Sequence, residues 1–145
     1  MTIRPAGPAD APAIAGLATQ LGYPTTPEEA GPRLRDVASR PENAVLVAEA
    51  EGAVIGWIHV AGSHHVETAA FAEILALVVD ESRRGGGLGA ELVEAAADWA
   101  ARHGFRTLRV RSNVVRERTH AFYERLGFAR TKSQVVFARS VVEVR

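Results

Sequence analysis

The chain has 145 residues, of which 47% are hydrophobic, and its 17 Lys and Arg side chains balance its 17 Asp and Glu side chains. This composition fits one domain with its own core, and the balanced charge argues against a nucleic-acid-binding protein, which needs a basic surface. Cysteine is absent, which excludes disulfides and cysteine catalysis, and neither a signal peptide nor a run of roughly 18 apolar residues is visible, so we expect a cytoplasmic protein without a membrane partner.

The first third of the chain predicts a short strand at residues 2–4 followed by two helices. The first helix begins after Asp10, an N-cap residue, and ends at Gly22, where a C-terminal glycine is expected. The second begins at Thr26, because Thr-Pro-x-Glu is typical of a capping box with proline at the first helical position. Pro41 marks its end.

The middle of the chain is rich in β-branched residues and predicts three strands. Residues 44–60 form two such runs around Glu51-Gly52, which is a hairpin signal. After the polar loop GSHHVET at residues 62–68, residues 74–79 are nearly all aliphatic. Unbroken apolar character is typical of a strand covered on both faces.

The last third predicts a helix that ends near Gly104, a strand at residues 107–111 and a shorter helix. Asn113 is expected to cap that helix, and residues 135–144 are expected to form one or two final strands. The order β-α-α-β-β-β-α-β-α-β(β) predicts one α/β (α+β) domain over residues 1–145.

The segment RRGGGLGAEL, residues 83–92, places four glycines at the entrance of a predicted helix. The first amides of a helix have no partner within it, and the helix dipole is positive there. Glycines let a phosphate reach those amides, and Arg84 adds a positive charge. Residues 84–90 therefore predict a pyrophosphate site.

Three other interpretations of the glycines are open. A flexible turn before a helix needs no ligand. A dinucleotide-binding fingerprint is matched by Gly85, Gly87 and Ala90, but VDESRR separates the glycines from the preceding strand, which the fingerprint should follow at once. A nucleotide P-loop would need Gly-Lys-Ser/Thr, which is missing.

The segment LALVVDESRRGGGLGAELV, residues 75–93, resembles the acetyl-CoA-binding segment of the GNAT superfamily of N-acetyltransferases. Its motif Q/R-x-x-G-x-G/A is matched by Arg84, Gly87 and Gly89, although Glu81 stands where the family often has proline. The resemblance implies a mixed, mostly antiparallel sheet flanked by helices, a bulged strand before the motif, and acetyl-CoA as co-substrate. The cofactor-binding residues that it implies are Leu77, Val78, Val79, Arg84, Gly85, Gly86, Gly87, Leu88, Gly89, Ala90 and Asn113.

A second segment, SNVVRERTHAFYERLGF at residues 112–128, resembles the last helix of that family, A-x-x-F-Y-x-x-x-G-F. Phe122 and Phe128 are expected to be core residues. Tyr123 is either an ordinary half-buried tyrosine or the acid of the reaction, since the resemblance places its hydroxyl near the thioester sulfur. A tyrosine pKa of about 10 would keep that hydroxyl protonated at neutral pH.

Acetyl transfer to an amine also needs a base, because a protonated amine cannot attack. Glu73 is the only carboxylate within residues 72–79, and burial would raise its pKa toward that of a base. The alternatives are a Glu73 at the exposed start of the strand, or a base supplied by His64, His65 or His120. We expect no metal site, because neighbouring strand positions such as His64 and His65 point to opposite faces.

These observations predict an acetyl-CoA-dependent N-acetyltransferase that transfers the acetyl group directly to a primary amine of a small acceptor. A backbone N–H near Val78 and Val79 is expected to stabilise the developing negative charge. The alternatives are a non-catalytic acyl-CoA sensor and a nucleotide-dependent oxidoreductase. The resemblance also favours a homodimer, with the apolar C-terminal strand as a pairing edge. The residues expected to line the acceptor site are Tyr23, His64, His65 and Glu67.

Overall fold

A computed structural model describes residues 1–112 and 117–142. Packing divides the chain into two compact units, Met1–Arg111 and Ser112–Arg145. The first unit contains strands β1 (Thr2–Pro5), β2 (Asn43–Ala50), β3 (Ala53–Ser63), β4 (Phe71–Val79) and β5 (Leu108–Val110), with helices α1 (Ala11–Gln20), α2 (Pro27–Ala38) and α3 (Leu88–Arg102). The second contains α4 (Glu117–Arg125).

The five strands form one sheet in the order β1-β2-β3-β4-β5. Strands β1 to β4 pair antiparallel, and β5 pairs parallel to β4. The predicted mixed, mostly antiparallel sheet is therefore confirmed. The predicted hairpin is also confirmed, because Glu51 and Gly52 join β2 to β3 with φ angles of 52° and 78°, which fit a two-residue turn of type I′.

The starts of α1 and α2 are built differently. The predicted capping box of α2 is present: Glu29 N donates to Thr26 Oγ1 at 3.1 Å, and Thr26 N donates to Glu29 Oε1 at 3.0 Å. Asp10 precedes α1 as predicted, but its side chain makes no capping bond to that helix. Its carboxylate instead accepts from Arg4 at 2.8 Å and from Gly7 N at 2.7 Å, which ties β1 to the following turn.

The two faces of the sheet are covered by different helices. On one face, Ile14 of α1 and Leu34 of α2 belong to a buried cluster with Val47 of β2. On the other face, α3 approaches so closely that a Cβ on Gly56 would lie 3.1 Å from Val78 O and within 3.3 Å of the side chains of Leu88 and Leu92. Because glycine has no side chain, α3 can pack directly onto the middle of the sheet.

The predicted closing strand at residues 135–144 is wrong for its described part, because residues 129–142 form no strand. The segment has the composition of a strand, but a strand also needs a neighbouring backbone to take its hydrogen bonds. Its apolar side chains are exposed instead, with Val135 77%, Phe137 90% and Val142 73% exposed. No helix in the described part of the chain is long and apolar enough to cross a membrane.

Candidate active site

Strand β4 has a bulge at its centre and an unpaired edge beyond it. His59 pairs with Ala76 while the next residue, Val60, pairs with Ile74, so Leu75 is the extra residue. Parallel pairing with β5 ends at the same place, with Ile74 beside Val110. From residue 75 to 79, β4 therefore has β3 on one side and, among the described residues, no strand on the other. We call residues 75–79 the open edge.

The strand that carries the open edge was predicted from the sequence, but its exposure was not. The aliphatic run 74–79 predicted a strand covered on both faces, but Leu75 is 52% exposed because the bulge turns it outward. Unpaired backbone groups on such an edge can hydrogen-bond an extended ligand in the way that an added strand would.

The glycine stretch leads from the open edge into α3. A 3-10 turn at Glu81–Arg83 comes first, and Gly85 and Gly87 then take φ angles of 85° and 87°, which side chains disfavour. A Cβ on either glycine would meet no atom within 4 Å, so the backbone there borders open space. Gly87 precedes the first turn of α3 without a side-chain cap. The first amides of this 15-residue helix are thus left to a ligand or to water.

Side chains at the base of this loop hold it in place. The Asp80 carboxylate accepts from Ser82 N at 2.9 Å and Ser82 Oγ at 2.8 Å, and these hydrogen bonds lower the pKa of Asp80. Gln20, at the end of α1, accepts from Glu81 N at 3.1 Å. Arg84 Nε donates to Val79 O at 3.3 Å, so this guanidinium lies beside the open edge.

Asp80 and Gln20 were not predicted from the sequence. The pattern Asp-x-Ser after a strand is typical of a side-chain-capped turn and could have identified Asp80. No local signal identifies Gln20, because its partner is 61 residues away in the chain.

Glu73 lies on β4 before the bulge, beside Ala61 of β3 and Arg109 of β5. Its side chain is only 13% exposed, and Arg111 Nε lies 3.5 Å from Glu73 Oε1. Glu73 is therefore a partly buried, ion-paired carboxylate within the strand and not a residue at an exposed strand start.

His59 is a further polar residue on the same face of the sheet, and it was not predicted from the sequence. It lies two positions before Ala61 on β3, and alternate residues of a strand share a face. His59 Nε2 lies 2.9 Å from Asn43 Oδ1, and burial lowers the pKa of the imidazole, which is therefore neutral at neutral pH. With Asn43 Oδ1 accepting, Nδ1 keeps its lone pair. The presence of one histidine within the apolar run of β3 could have indicated this residue from the sequence.

The structure gives His64 and His65 separate partners. His64 Nε2 lies 2.5 Å from Glu42 Oε2, whereas His65 Nε2 lies 2.8 Å from Ser63 Oγ and its ring stacks on Phe71. Within residues 1–112 and 117–142, no group of three or more His, Asp or Glu side chains is arranged to hold a metal ion. Tyr23 and Glu67 are both exposed.

In the second unit, Tyr123 is the buried residue of α4, at 9% exposure. The rings of Phe122 and Phe128 meet it edge-on at 5.0 and 5.5 Å between centroids. The two phenylalanines, predicted as core residues, are only half-buried. His120 Nδ1 lies 3.1 Å from Arg130 Nη2, and Asn113 lies outside the described residues.

Comparison with known proteins relates the chain to one family. The profile of the acetyltransferase (GNAT) family matches residues 13–128, whereas no curated protein matches the sequence. The aminoglycoside antibiotic 6′-N-acetyltransferase AAC(6′)-IG from Acinetobacter haemolyticus is 19% identical, with 97% of this chain and 99% of that chain covered and a TM-score of 0.85.

Two further solved structures have the same fold. A GNAT family acetyltransferase from Staphylococcus aureus is 20% identical, with coverages of 95% and 98% and a TM-score of 0.80. The aminoglycoside N-acetyltransferase AAC(6′)-Iy, solved in complex with CoA, is 20% identical, with coverages of 96% and 98% and a TM-score of 0.81. Since the family profile covers most of the sequence, the chain belongs to the acetyltransferase (GNAT) family.

Proposed function

We propose that the protein is an N-acetyltransferase that uses acetyl-CoA and transfers the acetyl group directly to a primary amine of a small acceptor. Membership of the acetyltransferase family supports acetyl transfer as the reaction. The observation that supports the cofactor site is the open edge at residues 75–79, which continues into the glycine loop and the start of α3.

The residues of this region fit the proposed cofactor. Backbone groups of the open edge suit an extended pantetheine arm, and the glycine loop suits a pyrophosphate, because Gly85 and Gly87 leave its amides accessible. Acetyl-CoA supplies the acetyl group as an activated thioester. The residues proposed to hold it are Leu77, Val78, Val79, Arg84, Gly85, Gly86, Gly87, Leu88, Gly89 and Ala90, with Asn113 added from the family resemblance alone.

Two side chains are proposed to move protons. Glu73, partly buried and on the strand that carries the open edge, removes a proton from the acceptor amine directly or through water. Tyr123, carried over from the family motif, protonates the departing sulfur. A backbone N–H of Val78 or Val79 is proposed to stabilise the negative charge that develops on the carbonyl oxygen.

The acceptor is proposed to be small because the similar solved structures include enzymes named for aminoglycosides. The non-catalytic sensor would keep the same cofactor site, so only turnover separates it from an enzyme. The oxidoreductase is not supported, because a 3-10 turn intervenes between β4 and the glycines, and the sheet is mostly antiparallel. A cytoplasmic location remains a prediction from the sequence.

A homodimer is the proposed assembly, and the exposed C-terminal segment supports it. Val135, Val136 and Phe137 are 77–90% exposed, and Val141 and Val142 are 73–88% exposed. Contiguous exposed apolar side chains are typical of surfaces that another chain covers. Phe137→Glu should therefore convert a dimer to a monomer in light scattering, and a monomeric wild-type protein would contradict the proposal.

The function itself is tested by incubation with acetyl-CoA and a panel of primary amines, with CoA thiol release and the N-acetylated product measured separately. Product formation on any amine at a rate above the amine-free control supports the enzyme. Acetyl-CoA binding without product on any amine would favour the sensor.

A further inference from the structure

Arg109 is a partly buried guanidinium that has no acidic partner within residues 1–112 and 117–142. It lies on β5 directly beside Glu73 of β4, and its Cζ lies 3.8 Å from the centre of the Phe71 ring. Phe71 is only 3% exposed, so the ring provides a fixed base for the cation. Among the described residues, Arg109 makes no ion pair and no side-chain hydrogen bond, in contrast to Arg111, which pairs with Glu73.

An unpaired charge that is partly removed from water is costly unless a counter-charge compensates it. The ring contact holds the guanidinium in position, but it does not satisfy the five N–H donors of an arginine. A planar guanidinium with free donors is well suited to bind a carboxylate through two parallel hydrogen bonds. Arg109 is thus positioned to receive an anion that the described residues do not supply.

The surroundings of Arg109 favour an anionic ligand over a polycationic one. Arg109 and Arg111 contribute two positive charges beside the carboxylate of Glu73. The exposed carboxylate of Glu67 is paired with His65, whose ring stacks on Phe71. The neighbouring positions on β3 carry Ala61 and Ser63, which are uncharged. A ligand with several ammonium groups would therefore meet two like charges, which disfavours it.

The spacing on β4 limits the size of the acceptor. Arg109 lies over Phe71, and Glu73 is two residues further along the strand, a distance of about 7 Å. A carboxylate bound to Arg109 and an amine bound to Glu73 would then lie close together, which favours a short acceptor.

We infer that Arg109 binds a carboxylate of the acceptor, so that the substrate is a small amino acid whose amine reaches Glu73. The inference deepens the proposed function and rests on it for the identity of the reactive group. It distinguishes this chain from the aminoglycoside acetyltransferases of similar fold.

The experiment compares acceptors that differ only in the carboxylate: glycine with glycinamide, and β-alanine with β-alaninamide, with neamine as the polycation. Values of kcat and KM are measured for the wild type, for Arg109→Gln, and for Arg106→Gln as a control at an exposed arginine. For each protein, kcat/KM for the acid is divided by kcat/KM for the amide. Comparing this quotient between the wild type and the variant isolates the contact between Arg109 and the carboxylate.

We expect Arg109→Gln to lower kcat/KM for the acids by roughly 10- to 100-fold, mostly through KM, because charge-assisted hydrogen bonds are lost. The amides should change little, and Arg106→Gln should behave as wild type. If Arg109→Gln lowers kcat/KM equally for the acids and the amides, the inference is overturned, whereas the proposed function stays intact.

Direct binding decides the case in which no amine is acetylated. Calorimetric titration of β-alanine into the CoA-bound protein should then show binding to the wild type and at least tenfold weaker binding to Arg109→Gln. Equal binding to both, or no binding to either, would contradict the role of Arg109 as a carboxylate receptor. The failure of turnover would count separately against the proposed function.

Discussion

Strand β4 takes part in two candidate functional regions that are built in different ways. The open edge and the glycine loop offer backbone groups, which become available because pairing with β5 stops at Ile74 and because glycines leave space. The face that carries His59, Glu73 and Arg109 offers side chains from three strands. The cofactor contacts proposed for the first region use main-chain groups, which depend on few residue identities. The second depends on which side chains three separate segments bring together.

This difference predicts how the two regions respond to substitution. Changes in the loop should affect cofactor affinity and leave acceptor preference alone, whereas changes on the side-chain face should affect acceptor turnover with normal cofactor affinity.

The largest effect is expected from Gly87→Glu. A side chain at φ 87° is strained and would project a negative charge where the pyrophosphate is proposed to lie. Calorimetric titration with acetyl-CoA should show no detectable binding, while Gly16→Glu, at an exposed helical glycine with open space around it, should bind as wild type. Arg84→Glu repeats the charge test without backbone strain. Normal acetyl-CoA affinity in both loop variants would remove the pyrophosphate assignment.

Glu73→Gln should have the next largest effect. Loss of the proposed base should lower kcat by roughly 100-fold or more, with unchanged acetyl-CoA affinity, whereas Glu94→Gln at an exposed position on α3 serves as the matched control. His59→Gln sharpens the assignment, because its imidazole is neutral and lies on the same face. If His59→Gln abolishes the rate and Glu73→Gln does not, the histidine is the base.

Tyr123→Phe removes one hydroxyl from a buried ring. If this hydroxyl protonates the departing sulfur, kcat should fall by roughly 10- to 100-fold while the KM for acetyl-CoA stays the same. Steady-state kinetics measure both constants. An unchanged kcat would show that Tyr123 is a packing residue.

A smaller effect on stability is expected from Asp10→Asn, at a site away from both functional regions. Hydrogen bonds from Arg4, and then from Gly7 N, lower the pKa of Asp10. At pH values above the ordinary aspartate pKa of about 3.9, the carboxylate therefore stabilises the folded state by about 1–2 kcal/mol. That contribution is lost as the pH falls below this value, through the folded-state pKa. Denaturant unfolding of wild type and variant should therefore differ at pH 7 and converge in acid.

Asp36→Asn provides the contrast for Asp10. Its exposed pair with Arg40, at 3.2 Å, should contribute less than about 0.5 kcal/mol. An equal loss of stability in both variants would show that the buried position of Asp10 confers no special strength.

The same division between backbone and side chains explains what the sequence could predict. The hairpin at Glu51-Gly52, the capping box at Thr26 and the glycine loop are local patterns, and their structures follow from residues close together in the chain. The pairing of Arg109 with Phe71 and the bond from Gln20 to the loop join distant segments, so no local pattern predicts them.

The C-terminal segment shows the limit of composition as a guide. Residues 135–142 are rich in valine, which favours β-structure, yet they form no strand because strand formation also depends on a neighbouring backbone. Asp10 is a related example. It precedes α1 as predicted, but its carboxylate accepts hydrogen bonds from Arg4 and Gly7 N and does not cap the helix.

Thermal melting with and without acetyl-CoA tests the central claim, that the open edge and the glycine loop form a CoA site, most directly. Acetyl-CoA at about 100 times its Kd should stabilise the protein by roughly 2.7 kcal/mol, which raises the Tm by several degrees in a domain of this size. Nicotinamide dinucleotides should produce no shift. An unchanged Tm at saturating acetyl-CoA, or an equal shift with a nicotinamide dinucleotide, would contradict the assignment of the cofactor site and the catalytic roles that depend on it.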